Sequence, residues 1–161
     1  MYKKLFLFVV SLSFLFSSFI LAQDVSIEGT YQLVARKLPD GTRMKAPDIM
    51  GLLTFTKTHR NFNIVWKDKD GKYFSYSVVS SYKLTESEYT ETIIFSVMND
   101  EIGGKGLTYT MSEQTATAPV KVSEGKLEIK MPFDPVTVVF NGERFVGTAE
   151  GMFTDYWEKI Q

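Results

Sequence analysis

Four titratable side chains stand where chemistry is conceivable: Glu91, Tyr76, Tyr82 and His59. Alternation along 89–98 puts Glu91 on one face with Tyr89, Ile93, Phe95 and Val97. A carboxylate among apolar neighbours can move a proton or anchor a polar group, and its burial without a partner is costly. Tyr76 and Tyr82 offer hydroxyls to a ligand. His59 is the single histidine, within Lys57-Thr58-His59-Arg60-Asn61, and reads as a polar turn residue. An enzyme reading, an isomerase or hydrolase using Glu91, Tyr76 or His59, requires two such groups to converge in one cavity. No Ser stands in a nucleophile-elbow pattern, and with one His and no Cys no His-based zinc site is supported. No catalytic set, metal site or cofactor is assigned.

Two acidic segments resemble calcium ligands only in part. Asp68-x-Asp70-Gly71 opens like a calcium loop, but Val79 stands at the twelfth position, where a Glu is needed. A tight hairpin turn explains it better. Asn99, Asp100 and Glu101, beside glycines, read as a solvated loop.

The aromatic load carries more information: 13 Phe, 8 Tyr and 2 Trp, several of the Phe falling in the N-terminal segment. Along 73–84 one face carries Phe74, Tyr76, Val78, Tyr82 and Leu84, and the other carries Ser75, Ser77 and Ser81. If the aromatic faces turn inward, the interior is mostly apolar with a few orienting polar groups, as small-molecule pockets are. Tyr31, Phe55, Trp66, Tyr76, Tyr82, Glu91 and Phe95 are the candidate ligand-binding residues, with Tyr76 and Tyr82 as polar handles. The competing possibility is that the rings fill the interior as a solid core.

Positioning these residues requires strands. Ile27-Glu28-Gly29-Thr30-Tyr31-Gln32-Leu33-Val34-Ala35 alternates, with Tyr31, Leu33 and Ala35 on one face and Thr30, Gln32, Val34 and Arg36 on the other. Strands are expected at 51–57, 62–67, 73–84, 89–98, 107–111, 119–122, 126–131, 136–140, 144–148 and 152–160, where β-branched and aromatic residues dominate. Between the first two, residues 43–50 read as a surface loop, with Asp48 able to cap a short helical turn. Asn141-Gly142 is the strongest hairpin signal, since both residues tolerate positive φ. The last strand is expected to pair with an early one. No window sustains helical periodicity, so the expected fold is all-β: a single up-and-down antiparallel barrel of 8–10 strands, which leaves no exposed sheet edges.

Met1-Tyr2-Lys3-Lys4, an uncharged run over 5–21 and Ala22 describe a secretory signal peptide cleaved after Ala22. A membrane anchor is the rival, but the run is shorter than the roughly 20 residues a spanning helix needs. The expected domain is 23–161. Removing two lysines leaves 16 Lys+Arg against 19 Asp+Glu, a net charge of −3. That balance gives no footprint for nucleic acid. Absence of Cys leaves stability to the core instead of disulfides.

Gly29-Thr30-Tyr31-Gln32-Leu33-Val34, the Asp40-Gly41-Thr42 turn and Gly51-Leu52-Leu53-Thr54-Phe55-Thr56 together resemble the bacterial lipocalin-like domain proteins of the calycin group. Tyr31 stands where lipocalins proper carry Trp. The resemblance runs over 27–160 and implies a barrel whose interior commonly holds a small apolar molecule. The function expected is therefore an exported monomer, periplasmic or secreted and free of a membrane anchor after cleavage, that binds a small hydrophobic or amphipathic ligand in its lumen. The alternative is a solid-cored barrel acting as an interaction module for another envelope protein.

Overall fold

The computed structural model describes residues 26–111 and 113–160. The expected leader, residues 1–22, lies outside them. Twelve strands are formed: β1 (Gly29–Lys37), β2 (Arg43–Met44), β3 (Ile49–Phe55), β4 (His59–Lys67), β5 (Tyr73–Leu84), β6 (Glu88–Asp100), β7 (Gly106–Met111), β8 (Thr115–Ser123), β9 (Lys126–Lys130), β10 (Thr137–Asn141), β11 (Arg144–Ala149) and β12 (Phe153–Lys159). Among the described residues there is no helix; Asp48 leads directly into β3, where the chain pairs with β4 from Ile49 onward.

Ten strands make a closed antiparallel barrel in the order β1-β3-β4-β5-β6-β8-β9-β10-β11-β12. β12 returns to β1, with Leu33 opposite Trp157, and closes it. β2 is a two-residue addition to the end of β1, and β7 lies off the circuit, paired with the second half of β6. The first half of β6 pairs with β8 instead. β7 shows Leu107, Tyr109 and Met111 to solvent.

Two β-bulges decide which side chains face inward. In β1, the register slips between Leu33 and Ala35, so Val34 is the extra residue and Arg36 takes the inward position opposite Asp155. Unbroken alternation had placed Arg36 outside. In β6, Val79 of β5 pairs with Phe95 but Ser80 pairs with Ile93, so Ile94 is extra. Tyr89, Glu91 and Ile93 face inward before this bulge; Phe95 and Val97 face outward after it. Phe95, expected inside, is 38 % exposed. A one-residue slip moves every later side chain to the other face.

The wall is uneven in height. β5 and β6 run for 12 and 13 residues, whereas β9 and β10 have five each. One end of the barrel is packed solid. Ile27, Tyr31, Phe55, Tyr82, Tyr89, Leu127, Ile129, Phe140 and Phe145 are buried there. Their rings meet edge to face, as Tyr31–Phe145 (5.2 Å) and Phe55–Tyr82 (5.5 Å) do, or stacked, as Tyr82–Tyr89 (5.6 Å) does. Each such side chain contributes about 1.5–3 kcal/mol of burial. Gly51, on the inner face of β3, makes room for Trp157: a Cβ there would lie 2.7 Å from the indole.

Candidate functional site

Above the packed end the lumen stays hollow. A cavity of about 220 Å³ is walled by Phe62, Ile64, Trp66, Phe74, Tyr76, Val138, Phe153 and Trp157, with Phe55, Phe140 and Phe145 as its floor. These positions alternate along β4, β5, β10 and β12, so the strand period alone makes one continuous apolar lining. At the rim Trp66 and Phe74 stack with centroids 4.2 Å apart.

Two arginines reach into this cavity, and they are held differently. Arg36 makes a bidentate pair with Asp155, Nε to Oδ1 at 2.7 Å and a terminal nitrogen to Oδ2 at 2.8 Å. Its guanidinium lies 3.9 Å from the centre of the Phe153 ring and 4.7 Å from that of Trp66. Pair and rings together leave the group sealed. Burial pushes the Asp155 carboxyl above the usual carboxylate range, against the pull of Arg36.

Arg60, from the start of β4, donates to Glu91 Oε1 at 2.9 Å. Ser80 donates to the same oxygen at 2.5 Å. A second carboxylate, Asp134, comes from the 132–135 turn and stands 3.6 Å from Arg60. β9 and β10 have five residues each, and the turn between them brings Asp134 to the cavity beside Arg60. Burial raises the Asp134 pKa, with Arg60 opposing and Glu91 adding to the shift. Burial works against the charge of Arg60, but Glu91 and Asp134 outweigh it and hold the guanidinium protonated. Three deeply buried polar atoms here have no hydrogen-bond partner: Arg60 Nε, Glu91 Oε2 and the Tyr89 hydroxyl. Burial, and then the charge of Glu91, push the Tyr89 hydroxyl far up its scale.

Of the seven residues singled out from sequence, Phe55, Trp66 and Tyr76 line the cavity. Tyr31 and Tyr82 belong to the packed end, and their hydroxyls are already engaged. Tyr31 donates to the Ile27 carbonyl at 3.1 Å, and Tyr82 to the Thr56 carbonyl at 2.5 Å. Tyr82 is therefore no handle for a ligand. Glu91 is 1 % exposed and sits behind Arg60, outside the lining. Phe95 is on the outer surface. Sequence reasoning missed Arg36, Arg60, Asp134 and Asp155. Arg60 was within reach, because the alternation Phe62, Ile64, Trp66 extends back to it. Asp155 lay on the alternating face of Phe153 and Trp157. Arg36 was hidden by a bulge and Asp134 by a turn.

His59 lies exposed as the first residue of β4, with Nδ1 2.8 Å from the Thr58 hydroxyl. Tyr76 is at the cavity wall, and Glu91 is committed to Arg60 and Ser80, so these three do not converge as an enzyme would require. Asp68 Oδ1 accepts from the backbone of Asp70 and Lys72, which makes the 68–71 segment a turn held by its own side chain. Asn99 and Asp100, expected in a solvated loop, are the last residues of β6, with Asp100 buried, and Glu101 just beyond accepts from the Tyr73 backbone and from Asn99. Comparison of the chain with protein-family models, with curated proteins and with solved structures found no match.

Proposed function

We propose that this protein is an exported, monomeric, lipocalin-like carrier whose lumen holds one small, largely apolar molecule. The observation that carries this reading is the cavity of about 220 Å³, walled by aromatic rings above a solid floor. An apolar cavity of about 150 Å³ already accepts benzene, so this one suits a single ring with a short substituent or an alkyl chain of similar bulk. The polar groups number few, as a site that orients a ligand requires.

Trp66 and Trp157 are the only tryptophans and both line the cavity, so their emission reports occupancy directly. Titration with small aromatic and short-chain compounds should give a saturable change in emission. Mass spectrometry of the native protein should recover a co-purifying molecule of that size. No response across apolar, cationic and anionic compounds would overturn the proposal.

A further inference from the structure

The charges inside the barrel do not balance, and the imbalance points to a ligand class. Arg36 is matched one to one by Asp155 through two hydrogen bonds and packs against the Phe153 and Trp66 rings, so its charge is already compensated. Arg60 faces two carboxylates. Glu91, held at 2.9 Å, already neutralises it. Asp134, at 3.6 Å, lies beyond good hydrogen-bond distance and is 28 % exposed on its side chain. Three carboxylates thus face two guanidiniums, and of the three Glu91 lies outside the cavity lining and Asp155 is bound twice by Arg36, which leaves Asp134 as the surplus carboxylate at the cavity wall. Tyr76 lines the same cavity, and its hydroxyl is pushed up by burial and then by the charge of Asp134. A carboxylate with unused acceptors at a cavity wall attracts a cation. In a low-dielectric lumen the same carboxylate repels an anion.

We infer that the lumen selects small organic cations: molecules with an aromatic or short alkyl body and one ammonium group, the ammonium meeting Asp134 and the body filling the space between Phe62, Trp66, Tyr76 and Phe153. This inference rests on the ligand-binding reading above. It is separate from it in what it forbids. An anionic ligand would meet the Asp134 carboxylate at the cavity wall, and Arg60, its nearest cation, is already paired with Glu91.

Three compounds of nearly equal shape decide the matter at pH 7: 2-phenylethylamine, 2-phenylethanol and phenylacetate, each titrated against tryptophan emission and by calorimetry. The amine should bind about tenfold tighter than the alcohol, with phenylacetate weakest. In Asp134→Asn the amine-to-alcohol ratio should fall to about one, because the charge that creates it is gone. If the amine and the alcohol bind the wild-type protein equally, or phenylacetate binds tightest, the cation inference is wrong while the carrier reading stands. If none of the three binds, both fail. The wild-type series decides the point even if Asp134→Asn does not fold.

Discussion

The two ends of this barrel are built from the same kind of residue and behave as opposites. At the packed end the rings of Tyr31, Phe55, Phe140 and Phe145 touch one another, and the polar tips of Tyr31 and Tyr82 reach backbone carbonyls. At the hollow end Phe62, Trp66, Phe74 and Phe153 stand around the cavity, and its polar side chains are Arg36, Arg60, Asp134, Asp155 and the neutral Tyr76. The difference follows from wall height and not from composition. The tall β5–β6 ribbon, of 12 and 13 residues, has no equally tall partner across the circuit, where β11 and β12 have six and seven. Aromatic content alone therefore does not distinguish a core from a pocket.

The largest effects should come from breaking what each end cannot replace. Asp155→Ala strands the Arg36 charge inside the barrel and should cost about 3–5 kcal/mol. Phe140→Ala opens a void in the packed end and should cost about 3–5 kcal/mol as well. Both are read by urea denaturation. A loss under about 1 kcal/mol at Phe140 would mean that the packed end is not packed. Gly51→Ala comes next. Its new methyl meets Trp157 and the Leu33 Cβ, and should cost about 1–3 kcal/mol while shifting tryptophan emission. Phe62→Leu, at the cavity wall, should cost less than about 1.5 kcal/mol yet weaken ligand binding, the reverse of the pattern at Phe140.

The smallest effects separate the ends by pH. Folding raises the Asp134 pKa above its usual 3.8 through burial, so the fold holds that proton more tightly than the open chain does. The stability it contributes is full below about pH 3.8 and is lost as pH rises through the raised value. Thermal melts at pH 4 and pH 7 should show Asp134→Asn gaining on the wild type at the higher pH. The packed end responds to base instead. Burial pushes the Tyr31 and Tyr82 hydroxyls up to about 12 from 10.0. Stability there is full below pH 10 and lost as pH climbs toward 12. Unchanged alkaline lability in Tyr31→Phe would count against that assignment.

Much of this molecule was legible from the chain. Alternation placed Phe62, Ile64 and Trp66 on one face, marked Tyr76 as inward, and led to a last strand that pairs with an early one, which the structure makes β1. The β10–β11 hairpin forms where Asn141-Gly142 signals it, but Asn141 stays in β10 opposite Arg144, and of the two only Gly142, which turns the chain with Glu143, takes positive φ, 61°. Errors collected where a strand breaks step. Neither Val34 nor Ile94 looks unlike its neighbours, because a bulge is chosen by how two strands fit and not by the bulged residue. That hid the inward turn of Arg36 and sent Phe95 outside against expectation.

The residue pattern by itself determined an all-β chain, its strand period and the apolar face that must be covered, because alternation is local and steric. Only the tertiary structure decided that the lumen is filled at one end and hollow at the other, and that two arginines share it with three carboxylates. Those are facts about strand length, stagger and register across the barrel, which bring together residues as far apart in the chain as Arg36 and Asp155.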